Sequence, residues 1–175
     1  YHENQLLPVI DMALNSPNPS YLRLKRFDKM YTEVDKTVKI GEPQILNKGK
    51  DLAIFASGMT VEIALEASKL ISDSDHTSVS VINVFCLKPI NEESFEKIIN
   101  EHKYIISIEN HSVVGGLGTI LAEIISSKGL NKRLVKLGVQ DVFAEGAETD
   151  YLFEKYGISS KAVINAYKSI KNKIW

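Results

Sequence analysis

The sequence predicts an α/β fold with three layers, in which a mostly parallel sheet lies between helices on both faces. Two observations predict it. Short apolar runs of strand length alternate with segments whose apolar residues recur at helical spacing. The turns between them carry glycine, as in "SGM" and "GGLG". Strands that alternate with helices form βαβ units, and these units build parallel sheets that are buried on both faces.

The first part of the chain does not show the repeated alternation of strands and helices. The stretch "YLRLKRF" alternates as a half-buried strand does, and "NSPNPS" separates it from a preceding helix. That helix is predicted by the spacing of Leu6, Leu7, Ile10 and Leu14. One helix and one strand cannot close a core. We therefore expect residues 1–34 to be the tail of a preceding domain with a linker, and residues 35–175 to form the next domain.

The second domain begins with "VKIGEPQILNKGKD", which indicates a short β-excursion, and continues with the first strand and helix of the alternating pattern. "LAIFAS" is the strand, and "GMTVEIALEASKLI" is the helix, with Ile63, Ala67 and Leu70 on its buried stripe. "TSVSVINVFCL" is the next strand and contains Cys86. The helix "NEESFEKIIN" follows, with Asn91 as its N-cap.

The third unit contains the strand "KYIISIE" and the helix "LGTILAEIISSKG". Gly129 ends this helix as a left-handed cap residue does. The helix buries Leu117, Ile120, Leu121, Ile124 and Ile125. "RLVKLGV" is the last strand, and Thr149 and Ser159 are candidate N-caps for two C-terminal helices.

The amino-acid composition indicates which classes of protein and partner to expect. Of the 175 residues, 44% are apolar and 25% are charged, as in ordinary soluble domains. The net charge of -1 gives no electrostatic reason to expect nucleic acid or an anionic membrane as a partner. No apolar run is long enough to span a bilayer. The single Cys86 cannot form an internal disulfide, and we expect a buried thiol in a reducing, cytoplasmic compartment.

The stretch "ENHSVVGGLGT" joins a strand to a helix, where backbone amides can hold an anion. "GGLG" lacks the spacing of a dinucleotide fingerprint, and no Lys-Ser or Lys-Thr pair follows it as in a P-loop. Close packing of the backbone is favoured over phosphate binding. His111, beside Glu109 and Ser112, is either catalytic or a polar loop residue at a subunit contact, and the second interpretation is favoured.

Other candidate groups give weaker signals. His2, His76 and His102 lie in polar stretches, so we expect them to be exposed, and they lack the spacing of a metal site. We predict no catalytic residue and no metal site in the chain. A solvated helix start explains Glu145 and Glu148 better than a carboxylate pair does.

Two arginines lie in the predicted strand "YLRLKRF", Arg23 and Arg26. Arg26 follows the strand at its carboxyl end, where a guanidinium can bind a phosphate through two hydrogen bonds. The residues alone leave this role and a solvent-facing side chain equally open.

Nearly the whole chain resembles the C-terminal part of the transketolase family. The resemblance rests on "YLRLKRF", "VKIGEPQILNKGKDLAIFASGMTVEIALEASKLI", "VSVINVFCLKPINEE", "YIISIENHSVVGGLGTILAEII" and "KLGVQDVFAEGAETDYLFEKYGI", which occur in the family's order. It is most similar to the short bacterial and archaeal C-terminal sections. Deoxyxylulose-phosphate synthases and the beta subunits of 2-oxo acid dehydrogenases share the architecture, and their motifs match less well.

The resemblance implies a parent enzyme that uses thiamine diphosphate and Mg²⁺ to move two-carbon ketol units between sugar phosphates. It implies that the cofactor-binding domains are missing here, that this chain alone binds no cofactor, and that the parent is a homodimer. Arg26 matches an arginine that contacts the substrate phosphate in the family. The loop and interface positions are matched by Glu109, His111, Gly115, Gly116 and Gly118.

The chain also departs from the family. Many members have Gly-x-Ser-Gly where this chain has residues 144–147, "AEGA", and a proline where Thr149 stands. This departure puts sugar transketolase activity in question. A second hypothesis is a stand-alone regulatory module that binds a phosphate or nucleotide at "GGLG".

Overall fold

The computed structural model describes residues 2–24 and 37–172. Within these residues, five strands form one sheet: β1 (Gln44–Asn47), β2 (Leu52–Ala56), β3 (Val79–Asn83), β4 (Tyr104–Ser112) and β5 (Leu134–Val139). A 3₁₀ turn, Glu3–Gln5, precedes the first of the six helices in the described part of the chain. They are α1 (Leu6–Leu14), α2 (Thr60–Asp75), α3 (Glu92–Glu101), α4 (Leu117–Ser127), α5 (Thr149–Lys155) and α6 (Ser160–Lys171).

The strands lie in the order β1-β3-β2-β4-β5. Strands β2 to β5 pair in parallel, and β1 pairs antiparallel with β3 at the edge. The predicted α/β fold with a mostly parallel sheet is confirmed. The chain moves from β2 to β3 on one side and then crosses to β4 on the other. The carboxyl ends of β2 and β4 therefore flank a topological switch point, where ligands bind in folds of this kind.

Helices cover both faces of the sheet. On one face, α2 and α6 pack against Ile54 and Ile106. On the other, α3 and α4 pack against Phe55 and Ile105. Every residue of β2 is 0% exposed, because this central strand has neighbours on both sides and helices above and below. A strand in that position needs a continuous apolar run, and "LAIFA" supplies it.

Local chemistry sets most helix ends. The side chain of Asn91 accepts a hydrogen bond from the Ser94 amide, and that of Ser159 accepts one from the Ala162 amide. Gly129 follows α4 with a φ of 60°, as predicted. The prediction that Thr149 caps a helix is wrong. Thr149 is the first residue of α5, and Glu148 stands at the cap position without a side-chain bond.

Two predictions from apolar patterning are wrong. Strand β3 ends at Asn83, so Cys86 lies in the loop beyond it, half-buried, with its thiol donating to the Pro89 carbonyl at 3.3 Å. The apolar run does not mark the strand's end, because Val84 stays buried after the ladder stops. Leu70 is 44% exposed, because the buried stripe of α2 is rotated toward Ile71.

The N-terminal segment is only partly as predicted. Helix α1 forms, but none of its residues is buried. The described part of "YLRLKRF", residues 21–24, is not a strand, and none of the described strands pairs with it. Tyr21 is 89% exposed and Leu24 is 60% exposed. Arg26 and the expected boundary between residues 34 and 35 lie outside the described residues.

Candidate functional site

The glycine loop begins at a buried carboxylate. Glu109, in β4, is 1% exposed. Its Oε2 accepts a hydrogen bond from the Leu117 amide and its Oε1 accepts one from the Gly118 amide, both at 2.8 Å. These amides form the N-terminus of α4, which has no acidic residue in its first turn and whose N-cap, Gly116, has no side chain. The carboxylate therefore satisfies two free helical donors and lies at the positive end of the helix dipole.

This geometry bears on the question of phosphate binding. A helix N-terminus attracts an anion because its amides lack partners. At α4, the first two amides already donate to Glu109. A phosphate would have to displace a buried carboxylate, which would then have no partner for its charge. The loop favours packing over anion binding.

The glycines allow the loop to approach β4 closely. A Cβ at Gly116 would lie 2.0 Å from Glu109 Oε2, and one at Gly118 would lie 2.7 Å from Ser107 Oγ. Both contacts are closer than real Cβ atoms tolerate. Gly115 has a φ of 77°, which side-chain-bearing residues rarely adopt. Gly116 and Gly118 make room for the contact that caps the helix, and Gly115 turns the chain into it.

His111 has a different environment from Glu109. Its side chain is exposed, and Nδ1 lies 3.0 Å from the Ser112 carbonyl oxygen. Glu109 makes its hydrogen bonds to α4 instead. The two side chains therefore use separate partners and do not form an acid–base pair.

The switch point is bordered by groups from three parts of the chain. Thr60 Oγ1, at the start of α2, donates to the Ile108 carbonyl at 2.7 Å and ties the ends of β2 and β4 together. Arg23 Nη1 donates to the Asn110 carbonyl at 3.0 Å. The N-terminal segment therefore reaches the carboxyl edge of the sheet near the place where ligands bind in parallel sheets.

The prediction of exposed histidines is wrong for two of the three. His102 is 4% exposed, and its ring nitrogens lie 2.7 Å from the Ile98 carbonyl oxygen and 2.8 Å from Ser80 Oγ. His2 is 7% exposed and accepts a hydrogen bond from the Asn4 amide. The polar neighbours "EHKY" conceal this burial, because His102 caps α3 and turns inward to β3. Each of these histidines has a structural partner.

Carboxylates elsewhere in the chain are held by local partners. The Lys155 ammonium, 2.5 Å from Glu145, holds the pKa of Glu145 below its ordinary value. Hydrogen bonds from Ser94 and Asn91 lower the pKa of Glu42. Glu145 is paired with a lysine, and Glu148 lies at the start of α5, so their loop offers no pair of facing carboxylates.

Within residues 2–24 and 37–172, no three or more His, Cys, Asp or Glu side chains cluster as metal ligands do. Over the same ranges, no helix combines the length and apolar character needed to cross a bilayer.

Comparison with known proteins then identifies the family. The model of the transketolase C-terminal domain matches residues 41–163. The chain belongs to the transketolase C-terminal domain family. The matched range contains the whole sheet and the glycine loop, and it excludes α1 and the segment that leads to Arg23.

The relatives of this transketolase C-terminal domain include a transketolase section and 1-deoxy-D-xylulose-5-phosphate synthases. A Methanocaldococcus jannaschii protein, named as a transketolase C-terminal section, is 34% identical over 93% of this chain and 50% of its own length. The 1-deoxy-D-xylulose-5-phosphate synthase of Dehalococcoides mccartyi is 31% identical over 96% of this chain and 27% of its own.

A solved structure shares the fold over nearly the whole chain. It is described as a split gene transketolase, an inactive beta4 tetramer, and it superposes with a TM-score of 0.86 at 32% identity. The match covers 96% of this chain and 55% of the other. The chain thus spans about half the length of these short relatives, or less for the synthases.

The glycine loop is predicted by the sequence, whereas the bond from Glu109 to α4 is found only in the structure. A signal for this bond exists in the sequence: an acidic residue ends an apolar run, and the next helix begins with glycines that cannot cap it. An uncapped helix start beside a strand-terminal acid predicts such a bond.

Proposed function

We propose that the chain is the C-terminal section of a thiamine diphosphate- and Mg²⁺-dependent transketolase-like transferase, which moves two-carbon ketol units between sugar phosphates. On this proposal the chain is inactive without the cofactor-binding part of the enzyme, and the enzyme works in the cytoplasm. The observation that carries the proposal is the match of nearly the whole chain to about half of a split gene transketolase chain.

The glycine loop does not fit the cofactor's diphosphate. The first two amides of α4 already donate to Glu109, and the Glu109 carboxylate fills the space beside Gly116, where a Cβ would lie 2.0 Å from Oε2. No step of the reaction is therefore assigned to this loop. On the proposal, the remainder of the enzyme holds the cofactor, and this chain stabilises the assembly.

The exposed apolar side chains of helix α1 support the proposal that another part of the enzyme packs against this chain. Residues 1–34 are proposed to be the tail of a preceding pyrimidine-binding domain, and residues 35–175 the C-terminal domain. Helix α1 reads "LLPVIDMAL", yet Leu7 is 76% exposed and Leu14 is 80% exposed. An apolar helix with no buried residue needs further protein to cover it. In this setting we assign Arg26 to the substrate phosphate, as the family resemblance implies.

Surface residues beside the glycine loop support a subunit contact. Val114 is 64% exposed, in the loop after β4, and Phe143 is 105% exposed, in the loop after the neighbouring β5. We propose that this carboxyl-edge surface, with His111 beside it, packs against a second subunit in a homodimer. Glu109 and the glycines shape the loop that presents it.

The experiment is a coupled assay for ketol transfer with thiamine diphosphate, Mg²⁺ and a ketose phosphate. The 175-residue chain alone should give no turnover. Measurable transfer by this chain would overturn the proposal that it depends on a missing part.

A second candidate function comes from the synthase relatives, which match 96% of the chain or more. The parent would then form 1-deoxy-D-xylulose 5-phosphate. Assaying the natural enzyme for both products separates the two, since only one product should accumulate. The stand-alone phosphate-binding module is less favoured because Glu109 occupies the α4 amides. It would require phosphate to shift the amide signals of residues 115–119.

A further inference from the structure

Three side-chain amides meet at the edge of the sheet, and we call them the amide cluster: Gln5, Gln44 and Asn83. Gln5 Nε2 donates to Gln44 Oε1 at 2.7 Å, and Asn83 Nδ2 donates to the same oxygen at 3.1 Å. Asn83 Nδ2 also lies 3.4 Å from Gln5 Oε1. Gln44 and Asn83 are direct register partners on β1 and β3, so the cluster joins two strands to the N-terminal segment.

Two of the three amides are buried, although the helix beside them is not. Gln5 is 2% exposed and Asn83 is 0% exposed, whereas no residue of α1 is buried. Apolar packing holds α1 only in part, because Val9, Ile10 and Met12 are half-buried and no residue of the helix is fully buried. The hydrogen bonds of Gln5, together with buried His2, add polar contacts at this end of the segment.

The cluster does not maximise stability. Asn83 Oδ1 is buried and has no hydrogen-bond partner among the described residues. An apolar side chain at this position in β3 would avoid that cost, since neighbouring Val81 and Ile82 are fully buried. Buried polar groups that carry such a cost can serve to specify one arrangement over others.

We infer that the amide cluster is a positioning device that fixes residues 2–14 in one register on the β1/β3 edge. Farther along the chain, Arg23 donates to the Asn110 carbonyl at the end of β4. The two contacts place residues 2–24 across the carboxyl edge of the sheet. If the proposed function is right, they also set how the preceding domain meets this one.

The test is hydrogen exchange of the 175-residue chain, read by mass spectrometry for α1 and for β2, alongside urea unfolding. The key variant is Asn83→Leu, because the leucine side chain is close in shape to that of asparagine and makes no hydrogen bonds. Exchange in α1 should become about five- to tenfold faster, the change expected from losing ordinary hydrogen bonds. Exchange in β2 and the unfolding midpoint should stay the same or improve.

Gln5→Ala tests the same cluster from the segment's side and leaves the sheet untouched. It should accelerate exchange in α1 to a similar extent, and the double variant should add little more, because both changes break one unit. Leu7→Ala is the matched control, since this exposed residue lies on the same helix. It should leave α1 protected.

Three results would overturn the inference. One is unchanged α1 exchange in both single variants, and another is an α1 that is unprotected in the unmodified chain. The third is loss of protection in α1 and β2 by the same factor, which would make the cluster an ordinary part of the core. Neither readout uses catalysis, so the outcome is independent of the proposed function.

Discussion

The carboxylate of Glu109 lies 2.8 Å from the backbone nitrogen of Leu117, so that a residue of β4 caps helix α4. The bond joins the end of a buried strand to the start of the helix that follows it. Because the carboxylate also accepts from Gly118, its loss affects two buried donors together. The carboxylate of Glu109 therefore holds both ends of the loop between β4 and α4 together.

Replacing Glu109 tests this arrangement. Glu109→Ala leaves two buried amides without acceptors and should lower the free energy of unfolding by about 3 kcal/mol or more. Glu109→Gln keeps one acceptor and should cost roughly half as much. Urea unfolding measures both. Glu123→Gln, on the exposed face of α4, is the control and should be neutral. A neutral Glu109→Ala would mean that the contact does not stabilise the fold.

The close approach of Gly116 to the Glu109 carboxylate gives a second prediction. Gly116→Ala puts a Cβ 2.0 Å from the Glu109 carboxylate, so the helix start or the carboxylate must move, at a cost of about 2 to 3 kcal/mol. Gly146→Ala is the matched control, because a Cβ there meets nothing within 4 Å. Thermal unfolding of the two variants should separate them clearly. Equal melting temperatures would contradict the claim that position 116 has no room for a Cβ.

A third prediction concerns pH. Hydrogen bonds from Ser94 and Asn91 hold the pKa of Glu42 below its ordinary value. Such a group stabilises the fold above its unfolded-state pKa, near 4.5, and this contribution is lost as pH falls through the lower, folded-state pKa. The stability difference between the parent chain and Glu42→Gln should therefore shrink as pH falls from 6 to 3. Glu66→Gln, an exposed change in α2, serves as the control. A difference that stays constant with pH would rule out the linkage.

The carboxyl-edge surface gives a fourth prediction. Phe143→Ser should leave the unfolding free energy unchanged, because the ring is fully exposed in the single chain. In the natural enzyme it should weaken subunit association about tenfold or more, the effect of removing one buried aromatic side chain. Light scattering across a dilution series measures it. Leu70→Ser, on exposed α2 surface, should leave association unchanged. Unchanged association in both variants would exclude Phe143 from the interface.

The sequence predicts the fold well wherever a pattern is local. The continuous apolar run of β2 and the capping residues Asn91 and Ser159 act on their neighbours in the chain, so the helices and central strands follow from them. Strand ends and burial depend on distant partners. Cys86 leaves the sheet because the ladder stops at Asn83, and none of the strands in the described part of the chain pairs with residues 21–24 of "YLRLKRF".

The site is harder to predict than the fold for the same reason. The glycines and Glu109 are visible in the sequence, but the bond that joins Glu109 to α4 crosses eight residues. The amide cluster joins residues that are 39 positions apart or more, and three isolated amides carry no pattern. Such contacts follow from topology, once the order of the strands is known.

The most direct test of the proposed function is to purify the natural protein from its own cells with an antibody against this domain. Its native mass and its ketol transfer with thiamine diphosphate and Mg²⁺ are then measured. We predict a particle far larger than the 19.5 kDa of this chain, active in transfer, while the isolated chain is inactive. A natural particle of 19.5 kDa without activity, or an isolated chain with activity, would contradict the account.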